Sequence, residues 1–132
     1  MSKKEYFDAA CQHIKDLGFR VFVNENKPGH PSYYYGYFSD GKNVGYFQLG
    51  YFFGVRWSTV NGPGSHGCGT GFSCEDEGVE YYKLTRPMLE QAFVSFPSWY
   101  RPEKNDKVVK YRDLDHFLSC RKETYWSNLV EI

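Results

Sequence analysis

The stretch SYYYGYFSDGKNVGYFQLGYFFGVRWSTV, Ser32 to Val60, decides the fold. Eleven aromatic residues lie between Tyr33 and Trp57, and Asp40, Lys42 and Arg56 are the only formal charges from Ser32 to Cys74. Aromatic and β-branched side chains fit a pleated, half-buried surface, and Asp40-Gly41 is a strong hairpin signal. The stretch therefore divides into strands at Ser32 to Phe38, Val44 to Leu49 and Phe52 to Val60, forming an antiparallel meander. Strand alternation puts Tyr33, Tyr35 and Tyr37 on one face, with Tyr34 and Phe38 on the other. Gly36, Gly45, Gly50 and Gly54 lie in or beside these strands, where each forgoes side-chain packing. The usual reasons are a bulge, a sharp bend or the close approach of another backbone, so the sheet is expected to curve strongly.

Upstream, Tyr6, Phe7, Ala10, Cys11, Ile14 and Leu17 recur at spacings of three and four. Ser2 and Glu5 stand in the positions of a capping box, and Gly18 follows the last turn. This predicts an amphipathic helix over Lys4 to Leu17. A strand follows through Phe19, Val21 and Val23, ended by Pro28, Gly29 and Pro31. Downstream, Asn61 to Cys74 reads NGPGSHGCGTGFSC and is a loop, kept at the surface by Glu75, Asp76 and Glu77. A short strand is expected through Val79, Tyr81 and Leu84. Thr85 then caps a helix from Arg86 to Phe96, with Met88, Leu89, Ala92, Phe93 and Phe96 as its buried stripe. Pro97 and Pro102 bracket Trp99 and Tyr100, Lys107 to Tyr111 reads as a short strand, and Asp113 to Leu129 has helical spacing. The expectation is one α+β domain over residues 1–132: an N-terminal helix, a curved antiparallel sheet of about four to six strands, and two helices in the C-terminal half.

Composition narrows the function classes. The chain has 132 residues, with 12 Tyr, 11 Phe and 3 Trp making up 20% of it, so it can bury enough apolar surface to fold as one domain. Sixteen basic and sixteen acidic residues give zero formal charge, which removes the whole-chain attraction of a duplex-binding protein. No run of about 18 apolar residues and no leader pattern is present, so no membrane association and a cytoplasmic location are expected. Cys11, Cys68, Cys74 and Cys120 are sparse and read as reduced thiols.

His66, Cys68 and Cys74 in the 62–74 loop are zinc-ligand types. His-x-Cys followed by one further Cys lacks the second paired-ligand motif of structural zinc sites, so no metal and no cofactor are expected. Cys68 with His66, His30 or His116 as base would be a nucleophile pair, but no protease or transferase signature surrounds it. The glycines around Cys68 suggest a phosphate nest, yet no Lys-Ser or Lys-Thr follows and three acids stand close by. Asp113, Asp115 and Glu123 suit ordinary surface pairing with Arg112, Arg121 and Lys122.

The surplus of aromatics is the stronger signal. Tyrosine offers a large rigid contact area with a polar tip, so outward-facing members of the sheet would form a binding platform. The reading is a non-enzymatic protein-binding module with Tyr33, Tyr35, Tyr37, His66, Trp99 and Tyr100 as the contact set and another protein as partner; self-association is a further possibility. In general character the chain resembles the small accessory proteins of phages and plasmids, some of which inhibit host defence enzymes. The alternatives are a Cys/His-dependent enzyme or zinc protein using the 62–74 loop, and a single-strand nucleic-acid binder. The binder would stack bases on the aromatic face beside Arg101, Lys104, Lys107, Lys110 and Arg112.

Overall fold

The computed structural model describes residues 1–23, 34–49, 53–60, 78–96, 100–102, 108–121 and 125–132. Helix α1, Lys3–Asp16, begins with the capping box read from the sequence: Ser2 Oγ accepts from the Glu5 N–H at 3.1 Å, and Glu5 Oε1 accepts from the Ser2 N–H at 3.3 Å. Its buried residues are Tyr6, Phe7, Ala10, Cys11 and Ile14. Gly18, at φ 99°, takes the left-handed conformation that ends the helix and turns the chain into β1, Arg20–Val23.

The aromatic stretch forms β2 (Tyr35–Ser39), β3 (Asn43–Leu49) and β4 (Val55–Ser58). The turn between β2 and β3 is held by Asp40, whose Oδ1 accepts from the N–H groups of Lys42 at 2.9 Å and Asn43 at 2.7 Å. Further along come α2 (Arg86–Glu90), β5 (Val94–Ser95), β6 (Tyr100–Pro102), β7 (Val108–Lys110), α3 (Leu114–Cys120) and β8 (Val130–Glu131). The main sheet is antiparallel with six strands, in the order β4-β3-β2-β1-β8, and β5 pairs with the start of β3. β6 and β7 make a separate two-stranded ribbon. The fold is α+β, with an N-terminal helix and two further helices in the C-terminal half, as the sequence implies.

Two glycines explain how so many rings fit on one surface. Gly36 faces Phe47 and Gly45 faces Phe38 across the β2–β3 ladder. A Cβ on Gly36 would lie 2.5 Å from the Phe22 carbonyl oxygen and 2.9 Å from the Phe47 ring, and one on Gly45 would collide with the Phe38 ring. Each phenylalanine therefore rests over a glycine of the neighbouring strand, the pairing in which an aromatic ring replaces the packing a glycine lacks. At Gly36 the anticipated approach of a neighbouring backbone is made by the Phe22 carbonyl, together with the Phe47 ring, whereas at Gly45 a ring takes that place.

The sheet is covered on both faces. On the first, Val21, Phe38, Phe47, Leu49, Val55 and Trp57 pack with α1 and with Leu84, Leu89 and Ala92. On the second, Phe22, Tyr35, Tyr37, Val44, Tyr46 and Val60 pack with Phe96, Tyr111, Leu114, Phe117, Trp126 and Leu129. The sheet is thus a middle layer between two apolar cores.

Three sequence expectations are corrected. The helix expected to run from Arg86 to Phe96 ends at Glu90; Val94 and Ser95 pair with Val44 and Asn43 instead. This carries Phe96 to the second core, whereas Leu89 and Ala92 belong to the first. Val94 and its aromatic neighbours gain more from a ladder and two cores than from continuing a helix. The helix expected over Asp113 to Leu129 is α3, followed by a separate 3-10 turn at Tyr125–Asn128 and then β8. Finally, the strand expected through Val79 to Leu84 is a single antiparallel bridge, Val79 to Val55, followed by a 3-10 turn at Tyr81–Lys83.

Candidate functional site: an aromatic ridge beside β4

Of the sequence-predicted contact residues, Tyr35 and Tyr37 are inside the protein. Tyr35 is 5% exposed and Tyr37 is fully enclosed, its ring centroid 4.3 Å from that of Trp126. The expectation that they face outward is corrected for a simple physical reason. Burying a large side chain stabilises by about 1.5–3 kcal/mol, and residues 94–129 supply the rings and aliphatic groups that close over the second face. Tyr100 is described only as a backbone position, the first residue of β6. Tyr33, His66 and Trp99 lie outside the described residues, as do Cys68, Cys74, His30, Lys104 and Lys107. The same enclosure removes Tyr35 and Tyr37 as a base-stacking platform.

The 62–74 loop named for nucleophile or metal chemistry lies outside the described residues. Among the described residues no group of three or more His, Cys, Asp or Glu side chains is gathered. Cys11 is on the buried face of α1, and desolvation pushes its thiol up to about 12, which suppresses the reactive thiolate. His116 Nδ1 accepts from the Arg112 N–H at 3.1 Å, and Asp113 Oδ1 accepts from the His116 N–H at 2.8 Å, so this pair finishes the start of α3.

The exposed aromatic rings among the described residues are Phe53, at 48%, and Tyr82, at 60%. They are the two ends of one chain of rings. Phe53 lies 5.2 Å from Tyr6, Tyr6 lies 5.2 Å from Tyr81 in an edge arrangement, and Tyr81 lies 5.4 Å from Tyr82, again edge-on. His13 adds an edge contact to Tyr81 at 6.0 Å. Such tilted and edge-to-face geometries are the favourable ones for aromatic quadrupoles.

Polar contacts fix the middle of this ridge. The Tyr6 hydroxyl donates to Glu80 Oε2 at 2.7 Å and accepts from the Tyr81 N–H at 3.1 Å. His13 Nε2 lies 2.9 Å from the Leu84 carbonyl oxygen. Burial, then the hydrogen bond to Glu80, pushes the Tyr6 phenol up to about 12. Tyr6 comes from α1, Phe53 precedes β4, and Tyr81 and Tyr82 follow the bridge that ties Val79 to Val55. Three separated segments thus hold one surface, and its exposed tips rest on a hydrogen-bonded base.

The sequence carried a signal for half of this ridge. Tyr81 and Tyr82 are adjacent rings between Glu80 and Lys83, and in a short turn adjacent side chains point apart, so one turns in and its neighbour out. Phe53 had no such signal within the run of aromatics from Tyr51 to Trp57. Comparison with protein-family models, with curated proteins and with solved structures found no match.

Proposed function

We propose that the domain is a non-enzymatic protein-binding module whose contact surface is centred on Phe53 and Tyr82. The observation that carries this reading is the exposure of both rings at the ends of a hydrogen-bonded aromatic chain. Rigid aromatic anchors lose little conformational entropy on binding and dominate the energetics of protein interfaces. The ridge replaces Tyr35 and Tyr37 in the contact set, and another protein remains the expected partner. Occluding a partner's surface, as an inhibitor or accessory protein does, asks for no catalytic group.

The test is affinity capture from an extract of the source organism, comparing the parent chain with Tyr82→Ala and with Phe53→Ala/Tyr82→Ala. A specifically retained protein should be lost or weakened at least about tenfold, the loss of one hot-spot contact, while thermal unfolding stays near the parent's. Equal capture by the double variant would remove the ridge from the interface. Salt-sensitive retention of a single-stranded oligonucleotide instead of a protein would favour the nucleic-acid alternative.

A further inference from the structure

On the opposite side of β4 from the ridge, one row of side chains crosses three strands. Tyr35, Gln48 and Arg56 are successive cross-strand partners on β2, β3 and β4, and Tyr37, Tyr46 and Ser58 form the next row. The Tyr35 and Tyr46 rings stack at 5.9 Å with 30° between their planes. The Tyr46 hydroxyl donates to Gln48 Oε1 at 3.0 Å, which commits that oxygen and leaves the Gln48 amide hydrogens as donors.

Arg56 is the unbalanced member of the row. Its Nε is buried, and among the described residues it has neither a hydrogen-bond partner nor an ion pair. Arg20 and Arg86, by contrast, are matched by Glu131 with Asp115 and by Glu90. The neighbouring phenols do not supply the missing anion. Burial raises Tyr46 and Tyr37 well above the ordinary phenol range, and the positive charge of Arg56 offsets this only in part at Tyr46. A half-buried guanidinium with an idle Nε–H costs free energy that a bound anion would offset.

We propose that Arg56, assisted by the Gln48 amide, is a binding site for a carboxylate. A guanidinium edge presents two parallel N–H groups that match the two oxygens of a carboxylate, and the Gln48 amide supplies a further donor from the adjacent strand. The flat tyrosine rings beside it suit a planar group better than a tetrahedral one. The site lies outside the aromatic ridge, and its occupancy does not depend on the ridge being an interface.

The experiment follows the Arg56 Nε–Hε signal of the full 15N-labelled chain by NMR, assigned by its disappearance in Arg56→Lys. Sodium acetate is titrated at constant ionic strength, and inorganic phosphate in a parallel series. Acetate should move the Arg56 signal saturably, at a lower half-saturating concentration than phosphate, while the exposed Arg112 signal drifts without saturation. Gln48→Ala should raise the acetate half-saturation by about tenfold, the effect of one hydrogen bond to a charged group. No saturable movement of Arg56, or tighter saturation by phosphate, would overturn the proposal, and both outcomes are read on the parent chain alone.

Discussion

At the scale of single residues, close approach and burial set the two sharpest predictions. A methyl group at Gly45 has no room because the Phe38 ring already occupies its place. Gly45→Ala should lower stability by about 1–3 kcal/mol in denaturant unfolding, the usual penalty for forcing extra volume into a packed core. Tyr6 gives a pH-dependent counterpart. Its phenol is raised from 10.0 to about 12, so its contribution is complete below pH 10 and is lost as pH rises through about 12. Ultraviolet titration should show a phenol ionising near pH 12, ahead of the more strongly raised Tyr37 and Tyr46, that disappears in Tyr6→Phe, a variant expected to unfold about 0.5–1.5 kcal/mol more easily. Neither prediction was legible from the sequence. Gly45 announced that something came close without saying what, and Tyr6 read only as one apolar position of α1 until Glu80 was found beside it.

At the scale of elements, capping and pairing decide which sequence signals survive. The capping box at Ser2 and Glu5 marks α1 unambiguously because it is local, Thr85 likewise caps α2 where the sequence places it, and Asp113 caps α3. The far ends of those two helices were overrun, because residues spaced by three and four at Leu89, Ala92, Phe93 and Phe96 and at Tyr125 and Leu129 fit a helix and equally a turn leading into a strand. Long-range pairing with β3 and β1 settled them, and sequence spacing contains no record of it. β8 illustrates how little holds such an edge. It has two residues, and its anchor is Arg20, whose Nε and Nη2 donate to Glu131 at 2.8 and 2.7 Å while Nη1 donates to Asp115 at 3.2 Å. The Arg20 hydrogen bonds hold the Glu131 carboxyl below the usual glutamate range. Its stabilisation is therefore present above the unfolded-state value near pH 4.5 and is lost as pH falls through the lower folded value. Amide exchange at Ile132, which donates to the Val21 carbonyl, should accelerate relative to central β3 amides over that acid range, and Glu131→Gln should abolish the pH dependence.

At the scale of the whole molecule, the surplus of aromatic residues is resolved by a sheet with two cores. The alternation of Tyr35 and Tyr37 against Phe38 was legible, and so was the need to cover a second aromatic face. What covers it was not, because Phe96, Phe117 and Trp126 return to the tyrosines from more than fifty residues away. Among the described residues the tyrosine-rich stretch is therefore mostly interior, and the exposed rings, Phe53 and Tyr82, lie at its margin beside β4. No helix among the described residues is long and apolar enough to cross a membrane. The most direct measurement of this arrangement compares thermal and denaturant unfolding of Tyr37→Ala with that of Tyr82→Ala. The account predicts a loss of about 3–5 kcal/mol for Tyr37→Ala, as for other large buried aromatics, and a change within about 0.5 kcal/mol for Tyr82→Ala. A Tyr37→Ala protein as stable as the parent, or a Tyr82→Ala protein that unfolds, would contradict it.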